Sequence, residues 1–224
     1  MRQLTLDLMP EAPPSLANFV PGSSEDALAA LTAWLADNQL LFLLWGESGS
    51  GKSHLLKASG LRYVDGATDP DLAGGSDEEN APTGLAVDNA EALSERGQIA
   101  LFNHFNRLRL AVENGRPGKL LVAAAQPPAA LRLREDLRTR LGSALIYRLR
   151  PLSDEEKLAA LSAQAADRGL KLSREALTYL MNRSSRDMRS LTALLAALDR
   201  YSLEHKRPIT LPLLREVLQQ EAEA

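Results

Sequence analysis

The chain contains no cysteine, which excludes a disulfide framework and a thiolate metal site and makes a reducing cytosol the expected home. Positive charge is not in excess either. The 26 lysines and arginines are outnumbered by 29 acidic residues, for a net charge of −3, so sequence-independent affinity for DNA is not expected. Long apolar runs are also missing. None is longer than Leu40 to Trp45, which falls far short of the roughly 20 residues that span a membrane. Met1 to Leu8 lacks the unbroken apolar core of a signal peptide. No membrane partner is expected, and a cytoplasmic location is. What is present is ordinary globular material: 224 residues, 45% apolar and 25% charged, enough to bury one large core or two small ones.

Near the start, Gln3-Leu4-Thr5-Leu6-Asp7-Leu8 alternates leucine with polar residues at the period of an extended strand. Pro10, Pro13 and Pro14 follow at once, and such a run cannot join a sheet interior. Residues 1–14 therefore read as an extended tether. From 15 to 151, strands alternate with helices. Leu40–Trp45, Leu61–Val64, Gly84–Asp88, Lys119–Ala125 and Leu145–Leu149 are the expected strands. Helices are expected after Ser23-Ser24-Glu25-Asp26 (a capping pattern), after Gly51, and over Gln98–Glu113. The acidic, glycine-rich stretch Asp65–Thr83 reads mainly as an exposed loop. This order implies a mostly parallel five-stranded sheet with right-handed crossovers, an α/β domain. From 152 to 224 no strand pattern appears. Helices are expected after Ser153, after Ser173, over Arg186–Leu203 and over Leu211–Gln220, forming a small helical domain.

Between the first strand and its helix, Gly46-Glu47-Ser48-Gly49-Ser50-Gly51-Lys52-Ser53 fits G-x-x-x-x-G-K-[ST] at every position. The glycines let successive N–H groups turn toward one anion, and the helix N-terminus adds its positive dipole end. Gly46 through Ser53, with the following His54, are the expected cradle for ADP or ATP. Lys52 is expected on the β- and γ-phosphates, and the Ser53 hydroxyl on Mg²⁺. Asp88 closes the third strand, where such sites hold Mg²⁺ through a carboxylate. The next residue is Asn89, which orients a water but cannot take its proton, so intrinsic hydrolysis is expected to be slow.

Taken in order, QLTLDL, NFVPG, GESGSGKSHLL, VDNAE, QPPAAL, DLRTRLGSALIYRLRPLSDEEKLAAL and RDMRSLTALLAALDR resemble the regulatory inactivators of the replication initiator DnaA, within the DnaA-related AAA+ ATPases. The resemblance covers nearly the whole chain except Asp65–Thr83. It implies an AAA+ lid after Pro151. It implies that Arg189 is the lid arginine reaching nucleotide phosphates, with Arg183 and Arg186 as neighbouring alternatives. Arg140 matches the family's arginine finger, with Arg138 next in line. The sensor-1 position departs from the family, because Ala124 and Ala125 offer no side-chain hydrogen bond and Gln126 is the nearest substitute.

The family also implies partners: DnaA itself, and the DNA polymerase III sliding clamp (beta). The clamp would be met by Gln3, Leu4, Leu6 and Leu8. Homo-oligomerisation stays open. No helix-turn-helix pattern follows the lid, so direct sequence-specific reading of DNA is not expected. The implied activity is stimulation of DnaA's ATP hydrolysis in trans. The alternatives are a DnaA-like adaptor without that stimulation and a self-hydrolysing helicase loader.

Overall fold

The computed structural model describes residues 13–73, 84–183, 187–205, 209–212 and 214. The tether residues Gln3–Leu8, loop residues 74–83, Arg186 and most of the helix expected over Leu211–Gln220 lie outside the described residues.

Residues 13–151 form one compact unit. Its strands are β1 (Leu41–Trp45), β2 (Arg62–Asp65), β3 (Gly84–Asp88), β4 (Lys119–Ala124) and β5 (Leu145–Arg148), and its helices are α1 (Glu25–Ala36), α2 (Lys52–Ala58), α3 (Glu95–Glu113) and α4 (Glu135–Leu141). The strands make one sheet in the order β2-β3-β4-β1-β5, and every pairing is parallel. Parallel neighbours need helical crossovers, and these cover both faces. Leu41 and Leu43 of β1 pack with Leu101, Phe105 and Leu108 of α3. Phe42 and Leu44 pack on the opposite face with Leu31 and Trp34 of α1 and Leu55 of α2. A strand buried on both sides reads as an unbroken apolar run, as Leu40–Trp45 does.

Three local departures from the sequence reading have physical causes. Ser24 precedes α1 but makes no side-chain cap; its hydroxyl accepts the N–H of Arg150 at 3.0 Å instead. Helix α3 begins three residues before the expected Gln98, because Ser94 caps it by accepting the Gly97 N–H at 3.1 Å. The loop after β2 is not simply exposed. Leu72 is buried in the α3 core, the Pro70 carbonyl accepts the Ser94 N–H at 2.9 Å, and the Ser94 hydroxyl donates to Asp71.

On α3, His104 is buried, with Arg107 Nη2 donating to its Nδ1 at 3.1 Å. Burial first, then the charges of Arg107 and Arg62, pushes its pKa down to about 4. The unfolded chain, with histidine near its ordinary 6.5, takes the proton first. Stability is therefore complete above about pH 6.5 and is lost as pH falls toward 4. Between pH 7 and pH 5 the wild type is expected to lose about 2 kcal/mol more than His104→Gln in denaturant titrations. Equal losses would remove His104 from the acid response.

From Leu152 onward the chain forms a second unit of α5 (Asp154–Asp167), α6 (Arg174–Arg183) and α7 (Met188–His205). Ser153 and Glu156 complete a capping box at α5, and Ser173 accepts the Ala176 N–H at 3.2 Å at α6. Leu161, Leu177, Leu180, Leu191 and Leu198 build its core. Among the described residues no helix is long and apolar enough to cross a membrane.

Candidate functional site

The C-terminal ends of β1 and β3 bring the phosphate loop beside a buried carboxylate. The chain leaves β1 through Gly46, whose N–H donates to the Ala124 carbonyl at 3.2 Å. A Cβ at Gly46 would stand 2.1 Å from the Leu149 carbonyl oxygen, so only glycine fits. Gly51 enters α2 at φ +94, and a Cβ there would meet the Phe19 ring at 2.6 Å. Left-handed backbone and close approach are both met by glycine.

Lys52 opens α2 and is 8% exposed. Its Nζ donates to the carbonyls of Gly46 at 2.6 Å and Glu47 at 2.9 Å, and contacts Ser50 Oγ at 3.5 Å. Burial pulls the Lys52 pKa down, while Asp88 and Glu91 oppose the shift. The ammonium thus braces the loop from inside it. Glu47, Ser48 and Gly49 form the exposed rim, and Arg148 reaches Glu47 at 3.6 Å. His54 turns away from this rim: its Nε2 pairs with the Ser15 carbonyl at 2.9 Å, and its ring lies 5.4 Å from Phe19. The NFVPG segment is thereby fastened to the first turn of α2.

Asp88 is 1% exposed. Its Oδ1 accepts the Asn89 N–H at 3.0 Å, and its Oδ2 accepts the Tyr63 hydroxyl at 3.0 Å. Burial, then Asp88, raises the Tyr63 pKa, so the phenol keeps its proton. Asn89 sits in left-handed backbone at φ +50, and its amide donates to Asp65 Oδ1 at 2.8 Å. Glu91 accepts the Ala125 N–H at 3.2 Å, and Gln126 is exposed.

Tyr63 and Asp65 are the two site residues that sequence reasoning missed. They come from β2, and the register Asp65↔Asp88 that brings them in leaves no local motif. The alternation of Tyr63 and Asp65 on one face of β2 was the one usable signal.

Arg140 lies in the last turn of α4 and is exposed, with its guanidinium 5.9 Å above the Phe105 ring. Arg138, half-buried, occupies a different face of the same helix. In the second unit Arg189 lies exposed in the first turn of α7, and Arg183 ends α6 with its guanidinium 5.9 Å above the Tyr179 ring.

Residues 154–218 match the family model described as "Hda, lid domain". Most of the chain is similar to solved structures of replication initiators. Domain III of Thermotoga maritima DnaA matches at 21% identity over 94% of this chain and 98% of that one, with a TM-score of 0.66. The chain has the AAA+ fold, and its lid is of the Hda type. AMPPCP-bound DnaA from Aquifex aeolicus matches at 22% identity over 89% of this chain and 71% of that one, TM-score 0.63. The Thermotoga maritima RuvB Holliday junction branch migration motor shares the fold at 18% identity over 92% and 72%, TM-score 0.61. The AAA+ fold accounts for the parallel sheet with the phosphate loop after β1, and the Hda-type lid for the helices after Leu152.

Proposed function

We propose that this AAA+ protein holds ADP or ATP with Mg²⁺ and uses its Arg140 on the nucleotide of a DnaA partner, stimulating that partner's hydrolysis and so restraining replication initiation. The observation that carries the reading is the Hda-type lid at 154–218, joined to a unit whose own hydrolytic groups are occupied. Asn89 is committed to Asp65 and Glu91 to Ala125, which disfavours self-hydrolysis. The donor set suits Mg²⁺: one buried carboxylate and one hydroxyl leave the remaining positions to phosphates and water, this ion's usual arrangement. Ser53 and Asp88 would hold the metal, which would neutralise phosphate charge when bound. Lys52 and the turned backbone from Gly46 to Gly51 would hold the phosphates. Arg189 would reach them from the lid.

The deciding experiment mixes the chain with ATP-loaded DnaA and a sliding clamp on DNA, and times phosphate release. Faster release supports the reading. Complex formation without faster release favours the adaptor.

In the same reading the tether binds the clamp, with the Gln3 amide as polar anchor and Leu4, Leu6 and Leu8 in apolar pockets. The proline-rich spacer holds the segment extended. Each buried leucine contributes about 1.5–3 kcal/mol before ordering costs, which suits micromolar binding. Replacing Gln3, Leu4 and Leu6 with alanine should abolish clamp capture while ADP affinity stays as in the wild type. Undiminished capture would leave the tether without this role.

A further inference from the structure

We infer that Tyr63 is a positioning residue for the divalent cation, fixing the carboxylate of Asp88 in the arrangement a cation needs. The inference rests on the reading of Ser53 and Asp88 as the metal-holding pair. Tyr63 lies on β2 and neither belongs to nor adjoins the phosphate-binding motif.

The proton directions follow from the partners. A phenol has one proton, and an ionised carboxylate can only accept. The Tyr63 hydroxyl donates that proton to Asp88 Oδ2 across 3.0 Å. Oδ2 of Asp88 is thus held by Tyr63 and Oδ1 by the Asn89 N–H, so the carboxylate is fixed at both oxygens while each keeps acceptor capacity.

The phenol is itself held firmly. Tyr63 packs in the core between the sheet and α2, and Lys57, one turn beyond Ser53, sets its ammonium 4.8 Å from the ring centroid. The pairing Tyr63↔Ala86 fixes the height of β2 against the strand that carries Asp88. Without the hydroxyl, Asp88 Oδ2 loses its donor and the carboxylate is left held by the Asn89 N–H alone.

The test separates metal-dependent from metal-free nucleotide binding. ADP affinity is measured by calorimetry with Mg²⁺ and with EDTA, for the wild type, Tyr63→Phe and Lys52→Ala. Bound Mn²⁺ is followed in parallel by electron paramagnetic resonance. Tyr63→Phe keeps the ring, its packing and its cation–π contact. Its affinity in EDTA is expected to match the wild type, while its affinity in Mg²⁺ falls about tenfold, the size of one lost hydrogen bond to a charged group. The Mn²⁺ signal of the bound complex should weaken in step. A full gain from Mg²⁺ in Tyr63→Phe overturns the role of Tyr63 and leaves the metal pair standing. A wild type with equal affinity in Mg²⁺ and EDTA overturns both. Equal weakening of Tyr63→Phe in both buffers assigns the residue to packing and overturns the inference.

Discussion

A chain carrying Lys52→Ala should show no measurable ADP binding by calorimetry, a loss of at least about a hundredfold. Lys52 Nζ is already desolvated and pinned to the Gly46 and Glu47 carbonyls, so its ammonium has been stripped of water before any phosphate arrives. A cation in that state returns more on meeting an anion than one that must first shed its hydration. Its removal leaves phosphate charge facing backbone N–H groups alone. Lys52→Arg should also bind poorly, because a planar fork cannot occupy the place of a compact ammonium that reaches two carbonyls. Thermal unfolding of both variants distinguishes lost affinity from a lost loop. Folded Lys52→Ala with wild-type affinity for ADP would overturn the phosphate site.

The second large effect is expected in trans. Arg140→Ala should bind ADP as the wild type does and yet fail to accelerate hydrolysis by ATP-loaded DnaA. A trans arginine supplies charge to the transferring phosphoryl group and is worth on the order of 10³–10⁵ in rate. Arg140 is exposed at the end of α4, and its neighbour in the structure is the Phe105 ring rather than a carboxylate. Its truncation should therefore disturb the fold little, since aromatic contacts at exposed cations are worth about 0.5–1 kcal/mol. Arg138→Ala serves as the comparison. Normal stimulation by Arg140→Ala with loss in Arg138→Ala would move the finger by two residues. Normal stimulation by both would remove α4 from the mechanism.

What could be read ahead of the structure was the part whose physics is local. Leu40–Trp45 declared a strand buried on both faces because both faces are in fact buried. The phosphate loop is a contiguous motif whose glycines answer to backbone geometry within a few residues. Ser153 and Ser173 capped their helices as expected, because each hydroxyl meets an N–H three positions on. Ser24 obeyed the same local pattern and did otherwise, since the N–H of Arg150, far along the chain, took its hydroxyl. Tyr63 and Asp65 stayed hidden for a related reason. Their place at the site depends on the register of β2 against β3, which no neighbouring residue encodes. Leu72 looked like part of a polar loop until α3 supplied the surface that buries it.

The position of β1 within the sheet has a consequence for how the chain matures. This strand, which carries the phosphate loop, does not pair with β2, the next strand along the chain: its partners are β4 and β5. A nascent chain that has emerged as far as Glu113 contains the entire glycine-rich motif and α2, yet neither strand that flanks β1. Non-local parallel pairings are slow to form, because long loops must close before any contact rewards them. The Leu149 carbonyl, against which Gly46 is fitted, is among the last groups of this unit to be synthesised. Fragments that stop short of Arg148 should therefore carry the motif without the pocket. In the proposed reading nucleotide enters as the ligand of a finished sheet, and by binding the native state alone it would stabilise the pairings that closed last.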